Sequence, residues 1–183
     1  MTTLAVIGTA GGVGASTLAA LTFAGLRGRP GGAPAVRGNG SHGVAERIGD
    51  DEVAHLDPDA AIWDVGTTGP RAVAAVLERQ ATIIVLVAPA TPAGHADAAA
   101  CVAGAVERFG EGVLSRISLV LMDVYRSDKS RDTTAPAHIA LVRIPFDPAL
   151  AEPGPVPALE TLTKPAQAGV SRWLGLAAGA LPE

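Results

Sequence analysis

The stretch Gly8-Thr9-Ala10-Gly11-Gly12-Val13-Gly14-Ala15-Ser16-Thr17 decides the fold. It follows a short apolar run, Leu4-Ala5-Val6-Ile7, which predicts a strand, and it opens the helical pattern of Ser16–Arg27. A strand, a glycine-rich turn and a helix in this order are the context of a phosphate-binding loop. The glycines let the backbone turn its N–H groups toward an anion, and the helix N-terminus adds partial positive charge.

The loop lacks the lysine that usually precedes its serine or threonine, because that position holds Ala15. In such loops lysine neutralises phosphate charge and the hydroxyl binds Mg²⁺, a role for which Ser16 is in place. Loss of the cation predicts a hydrolysis rate lower by roughly 10³-fold or more, with a smaller effect on binding. The alternative is a glycine-rich turn that binds nothing. The predicted nucleotide-binding residues are Gly11, Gly12, Val13, Gly14, Ala15, Ser16 and Thr17.

Composition excludes several classes of protein. A length of 183 residues predicts one domain, residues 1–183, and the low aromatic content of 3% predicts a core of Ala, Val, Leu and Ile. A net charge of −4 argues against a strongly electrostatic nucleic-acid binder. The single cysteine, Cys101, is expected to be a small buried hydrophobe and suits a reducing compartment. Since there is no signal-like segment and no apolar run of membrane-helix length, we expect a cytoplasmic protein without a membrane span.

Strand-like and helix-like runs alternate along the chain. Several strand-like runs are continuous in Val, Ile and Leu, as in strands buried on both faces of a parallel sheet. The pattern predicts an α/β fold with a doubly wound, mostly parallel sheet flanked by helices, and a ligand at the carboxyl ends of the strands. The predicted strands are Thr3–Ile7, Ala33–Val36, Ala60–Trp63, Thr82–Val87, Ile117–Met122 and His138–Ile144. The predicted helices are Ser16–Arg27, Pro70–Arg79, Pro92–Phe109 and Pro165–Leu181.

Three further segments are predicted to be irregular or extended. Gly28–Asp51 is rich in glycine, proline and charged residues, which predicts a short strand, a loop and at most one helical turn. Arg126–Pro136 is polar and without periodicity, which indicates an exposed loop. Pro148–Pro157 contains four prolines and is predicted to be an extended connector into the last helix.

An acidic residue follows the third predicted strand. Asp64 comes directly after Trp63, and an acid there could lie beside the glycine loop and hold Mg²⁺ directly or through water. Ser16 and Asp64 are therefore the predicted metal ligands. The alternative is that Asp64 caps the helix that begins near Pro70.

The glycine loop resembles that of the ParA/MinD family of deviant-Walker P-loop proteins, which reads Lys-Gly-Gly-x-Gly-Lys-Ser/Thr. Here both lysine positions hold alanine, Ala10 and Ala15. Within the family the chain is most similar to the TadZ/CpaE-like, septum-site-determining branch. The resemblance implies a P-loop NTPase fold of the SIMIBI type, ATP or ADP with Mg²⁺, a homodimer and a protein partner. It continues at Trp63-Asp64-Val65-Gly66, at Ile83–Val87 with Ala88-Pro89-Ala90-Thr91, and at Ile144-Pro145-Phe146-Asp147-Pro148-Ala149-Leu150.

Three departures from the family pattern argue against efficient hydrolysis. The resemblance implies that a lysine at the position of Ala10 would reach the partner's nucleotide across the dimer, which alanine cannot do. Ala15 removes the charge within the loop, and Ala35–Asn39 has no acid where the family usually ends its second strand. The implied function is a positioning or partitioning pseudo-ATPase scaffold that binds nucleotide without efficient turnover.

Two other functions stay open. An active plasmid or chromosome partitioning ATPase would need replacement cations, for which Arg37 and Arg126 are the candidates. A regulatory or secretion-linked interaction module that needs no nucleotide would leave the loop empty. Binding of DNA through the Arg126–Arg131 segment is not favoured, because acidic residues are interleaved there. The last helix, with Trp173, lacks a basic face and is expected to pack on the sheet rather than target a membrane.

Overall fold

Six strands, all paired in parallel, form one sheet in the computed structural model, which describes residues 1–39, 43–49, 55–124 and 139–181. The order across the sheet is β2-β3-β1-β4-β5-β6. The strands are β1 (Thr2–Gly8), β2 (Ala33–Gly38), β3 (Leu56–Thr67), β4 (Thr82–Pro89), β5 (Ile117–Met122) and β6 (Ala140–Ile144). The helices are α1 (Ala15–Leu26), α2 (Gly43–Ile48), α3 (Pro70–Leu77), α4 (Pro92–Phe109), α5 (Pro148–Ala151) and α6 (Lys164–Ala180), with 3-10 turns at Glu111–Arg116 and Leu159–Thr161.

Helices cover both faces of the sheet. In β1, Leu4 and Val6 pack with α1 and α6 on one face, and Ala5 and Ile7 pack with α3 and α4 on the other. Since side chains alternate along a strand, two apolar faces require a continuous apolar run. The predicted α/β class with a doubly wound parallel sheet is confirmed.

The direction of winding changes at β1. The strands β2 and β3 lie on one side of it, and β4, β5 and β6 lie on the other. In an open α/β sheet such a point leaves a crevice at the carboxyl ends of the strands. The chain enters the glycine loop directly from the carboxyl end of β1, so the fold itself places Gly8–Thr17 at the crevice.

Several predicted boundaries need correction. β3 begins at Leu56 rather than Ala60 and ends at Thr67, because residues 56 and 57 pair with the start of β2 even though they carry no apolar pattern. The connector Pro148–Pro157 is not wholly extended: α5 occupies its first four residues, with Asp147 as the cap and Pro148 at the first helical position. The loop predicted at Arg126–Pro136 lies outside the described residues.

The last helix is held by a buried polar contact. Trp173 is only 1% exposed, and its Nε1–H donates to Thr22 Oγ1 on α1 at 2.8 Å. The Thr22 hydroxyl in turn donates to the carbonyl of Leu18 at 2.6 Å. This confirms the predicted packing of the helix, which contacts β6 and α1. No helix within the described ranges has the length and apolar character needed to cross a bilayer.

The cysteine also lies as expected. Cys101 on α4 is buried in the apolar cluster between that helix and the sheet. Burial, with a smaller contribution from Asp97, raises the pKa of the Cys101 thiol. A buried thiol with a raised pKa is a poor nucleophile, so its role is packing.

We expect Thr22→Val to lower the free energy of unfolding by about 1–3 kcal/mol, because valine leaves the buried indole N–H without an acceptor. Urea denaturation measures the change. The matched control is Thr161→Val, since Thr161 is exposed and its hydroxyl donates only to the nearby Ala158 carbonyl. That variant should stay within about 0.5 kcal/mol of the parent protein. Equal losses in the two variants would contradict the anchoring role of Thr22.

Candidate functional site

The glycine loop leaves backbone N–H groups at the start of α1 without a side-chain acceptor. Gly12 and Gly14 have φ values of 72° and 87°, which favour glycine. Gly14 is the N-cap residue of α1, and no side chain caps the helix there. The first N–H groups of a helix have no partner within the helix, and together with its dipole they attract anions.

The loop is fixed on both sides by the neighbouring strands. The N–H of Thr9 donates to the carbonyl of Val87 at 2.9 Å, and the N–H of Thr68 donates to the carbonyl of Gly8 at 3.0 Å. The Thr67 hydroxyl donates to the carbonyl of Ala10 at 3.2 Å. These bonds set the path of the loop before any ligand arrives.

The two predicted metal ligands lie together. The Ser16 hydroxyl donates to Asp64 Oδ2 at 2.6 Å, and the N–H of Gly66 donates to Asp64 Oδ1 at 3.1 Å. Asp64 is only 5% exposed. It does not cap the following helix, because α3 has Gly69 as its N-cap residue and no side-chain cap.

A β-bulge shapes the end of β3 next to this pair. Val6 is paired with Asp64 and the next residue, Ile7, is paired with Gly66, so Val65 is the extra residue. Gly66 has a φ of 81°, which a side chain would strain. A bulge of this kind bends a strand and redirects its side chains beside a site.

The oxygen atoms of Ser16 and Asp64 fit a magnesium ion. Mg²⁺ prefers oxygen ligands, and it is usually held by one or two protein groups, waters and the phosphates of a substrate. A Cβ added to Gly43 would lie 2.9 Å from Ser16 Oγ and 3.5 Å from Asp64 Oδ2, so α2 lies directly against the pair. Among the described residues there is no group of three or more His, Cys, Asp or Glu side chains that could hold a metal alone. An ion at this site would therefore depend on ligand oxygens.

A cavity of about 480 Å³ opens beside the loop. This volume lies in the range of small-molecule sites, which are mostly apolar with a few polar groups. Gly12–Thr17 form one wall, together with Gly66 and Thr67. The rest of the lining includes apolar residues at or after the ends of β5 and β6 and in α5, and Met122 among them lies directly against Gly14. These residues are Met122, Val124, Pro145, Phe146 and Leu150.

Two carboxylates at the cavity already have partners. Asp123, just after β5, receives the Arg143 guanidinium on both oxygens, with the Nη2–H donating at 2.9 Å to each. Asp147 accepts from the N–H of Ala149 at 3.0 Å and from that of Thr163 at 2.7 Å. Burial alone would raise the pKa of Asp147, but the bonds from Thr163 and Ala149 outweigh it and hold that pKa below its usual range.

One cation lining the cavity was missed by the sequence analysis. Arg47 on α2 donates through Nη2 to the carbonyl of Leu150 at 2.8 Å and through Nη1 to that of Gly154 at 2.9 Å, and it also contacts the carbonyl of Glu152. Burial lowers the pKa of Arg47.

Neither cation proposed from sequence is shown at the cavity. Arg37 is exposed on β2 and is not among the residues that line the cavity, and Arg126 lies outside the described residues.

Compared with known proteins, the chain matches no family model, no curated protein and no solved structure.

We expect Gly14→Ala to lower the free energy of unfolding by about 1–2 kcal/mol, because φ at this position lies in the left-handed region. The new Cβ would also lie 2.7 Å from the sulfur of Met122. Gly11→Ala is the control within the same loop, since it has no positive φ and no atom within 4 Å of the added Cβ. Urea denaturation should show Gly11→Ala near the parent protein. A neutral Gly14→Ala would contradict the loop geometry.

The lowered pKa of Asp147 predicts a dependence of stability on pH. Its contribution is complete above the ordinary value of 3.8 and is lost as the pH falls through the lower native pKa. We expect Asp147→Asn to lose less unfolding free energy than the parent protein between about pH 5 and about pH 2. Asp97→Asn is the matched control, because it removes an exposed carboxylate elsewhere in the fold. Identical slopes for all three proteins would contradict the assignment.

Proposed function

We propose that this chain is a ParA/MinD-like positioning or partitioning scaffold, a P-loop protein of the SIMIBI type that binds ATP or ADP with Mg²⁺ and hydrolyses ATP poorly. The nucleotide part rests chiefly on one observation, the 2.6 Å hydrogen bond between Ser16 and Asp64 beside the glycine loop. The positioning part, the homodimer and the protein partner rest on the resemblance of the motifs.

The loop and the cavity together suit a phosphate-bearing ligand. Unpartnered helix N–H groups and the Ser16 hydroxyl lie at one wall, where phosphates and a magnesium ion would be bound. The apolar part of the lining, which includes Phe146 and Leu150, suits the flat face of a base. A cavity that is lined by both the glycine loop and apolar side chains favours a nucleotide over inorganic phosphate.

The same site lacks groups that would accelerate hydrolysis. Ala10 and Ala15 both line the cavity and carry no charge. Asn39, which follows β2, accepts from the Trp63 indole N–H at 3.1 Å and donates to the carbonyl of Val65 at 3.2 Å. The Asn39 side chain is therefore already hydrogen-bonded to β3 at the edge of the sheet. Because it is an amide and not a carboxylate, it cannot act as the base for an attacking water. These three positions support slow turnover of a bound nucleotide.

The sharpest test combines calorimetric titration of ATP and of ADP, each with Mg²⁺, with phosphate release on the same sample. We expect both nucleotides to bind and phosphate release to stay near the rate of a protein-free control. Ser16→Ala should weaken binding about tenfold in Mg²⁺ and much less in EDTA, because it removes a metal ligand. Ser115→Ala is the control, since the Ser115 hydroxyl is exposed and donates to the carbonyl of Gly112.

Two results would contradict the proposal in different ways. Failure of both nucleotides to bind at millimolar concentration would leave the loop a structural turn and favour an interaction module that needs no nucleotide. Rapid phosphate release that is abolished by Asp64→Ala would identify an active ATPase instead.

A further inference from the structure

We infer that Arg47 supplies the positive charge that the glycine loop lacks at Ala15, so that phosphate groups in the cavity lie between the loop and α2. The inference rests on the proposed nucleotide function and adds the residue that neutralises the anion. The arginine comes from a different element of the fold and from a position that carries no motif.

The start of α2 lies against the glycine loop, and Arg47 on the same helix lines the cavity. Gly43 at the start of α2 is so close to Ser16 that an added Cβ would lie 2.9 Å from its hydroxyl oxygen. Arg47 is four residues further along the helix, on the same face as Gly43. It lines the same cavity as Ser16 and Thr17.

The charge of Arg47 is not balanced by a carboxylate within the described part of the chain. Its bonds go to the carbonyls of Leu150, Glu152 and Gly154, which orient the guanidinium without neutralising it. Arg143 is the contrasting case, since it is bound to both oxygens of Asp123, which lines the same cavity. A partly buried charge without a counter-ion is costly, and an anion in the cavity would remove that cost.

The guanidinium also has donors left for a ligand. Of the five N–H groups of an arginine, three donate to carbonyls here, and the Nε–H is buried without an acceptor among the described residues. A rotation that brings Nε–H to a phosphate oxygen would satisfy it, and the planar group is suited to bind two such oxygens. The carbonyls of Leu150 and Gly154 hold the guanidinium at the cavity before a ligand binds.

The test compares Arg47→Gln and Arg47→Lys with a matched control, Arg116→Gln. Arg116 is another guanidinium bound to carbonyls, those of Leu77, Arg79 and Thr82, at the amino end of β4 and away from the cavity. The probes are inorganic tripolyphosphate, ATP, ADP and AMP, each titrated by calorimetry in Mg²⁺. Thermal unfolding of each variant is measured in parallel.

We expect Arg47→Gln to weaken ATP and tripolyphosphate roughly 10- to 100-fold, with a smaller loss for ADP and the smallest for AMP. Arg47→Lys should recover part of the affinity because it restores the charge without the planar group. Arg116→Gln should bind within about twofold of the parent protein even where its thermal stability is lowered.

Three results would overturn the inference. If the Arg47→Gln variant binds tripolyphosphate as tightly as the parent protein, the charge of Arg47 does not contribute to phosphate binding. Equal losses for ATP and AMP would indicate a purely structural role for Arg47. A parent protein that binds neither tripolyphosphate nor ATP would remove the inference together with the proposed function. If the parent protein binds tripolyphosphate but not ATP, the proposed nucleotide binding is refuted and the inference about Arg47 is not. The affinity of the Arg47→Gln variant for tripolyphosphate would then still decide the role of Arg47.

Discussion

The hydrogen bond from the Ser16 hydroxyl to Asp64 Oδ2 joins the first turn of α1 to the end of β3, and the geometry of the site depends on it. It brings together two residues 48 positions apart in the sequence. The bulge at Val65 and the positive φ of Gly66 let the strand end there with the carboxylate facing the loop. Because the glycine loop is already bonded to β3 and β4, this contact completes a cradle that exists before a ligand binds.

The backbone cradle supplies groups that bind an anion but not the groups that accelerate phosphoryl transfer. Backbone N–H groups and the helix dipole hold an anion without any side-chain charge, whereas rapid phosphoryl transfer needs cations placed where charge develops. Ala10 and Ala15 remove two such cations and leave the backbone intact. An arginine on α2 can restore attraction for phosphate without reproducing the position of a loop lysine. Under the proposed function, this combination predicts a site that retains nucleotide and hydrolyses it slowly.

The parts of the fold that follow from local pattern were predictable. The strand β1, the loop and α1 are contiguous, and their apolar run and glycines decide their conformation. The pairing of Ser16 with Asp64 was predictable because the carboxyl ends of neighbouring parallel strands share one edge of a sheet. Asp64 also directly follows the apolar run Ala60–Trp63, which made it a candidate ligand.

The contacts of Arg47 were not predictable, for a physical reason. Its carbonyl partners at Leu150 and Gly154 lie 103 and 107 residues away, and its neighbour Glu46 makes the segment look like an ordinary solvated helical turn. The helix α5 was not predicted, because the four prolines of Pro148–Pro157 indicate extended chain. Pro148, however, is also suited to the first position of a helix, where the structure places it. The four bonds between Asp123 and Arg143 likewise join two strands whose register no local pattern reveals.

The most direct measurement of the central claim is the perturbation of backbone amide resonances by Mg²⁺ and ADP in solution. The account predicts that the largest shifts fall on Gly11–Thr17 and on Gly66, with smaller shifts at the apolar part of the lining around Phe146. Resonances of Gly11–Thr17 that do not move at saturating ADP, or shifts confined to another surface, would contradict the claim that this loop binds phosphate.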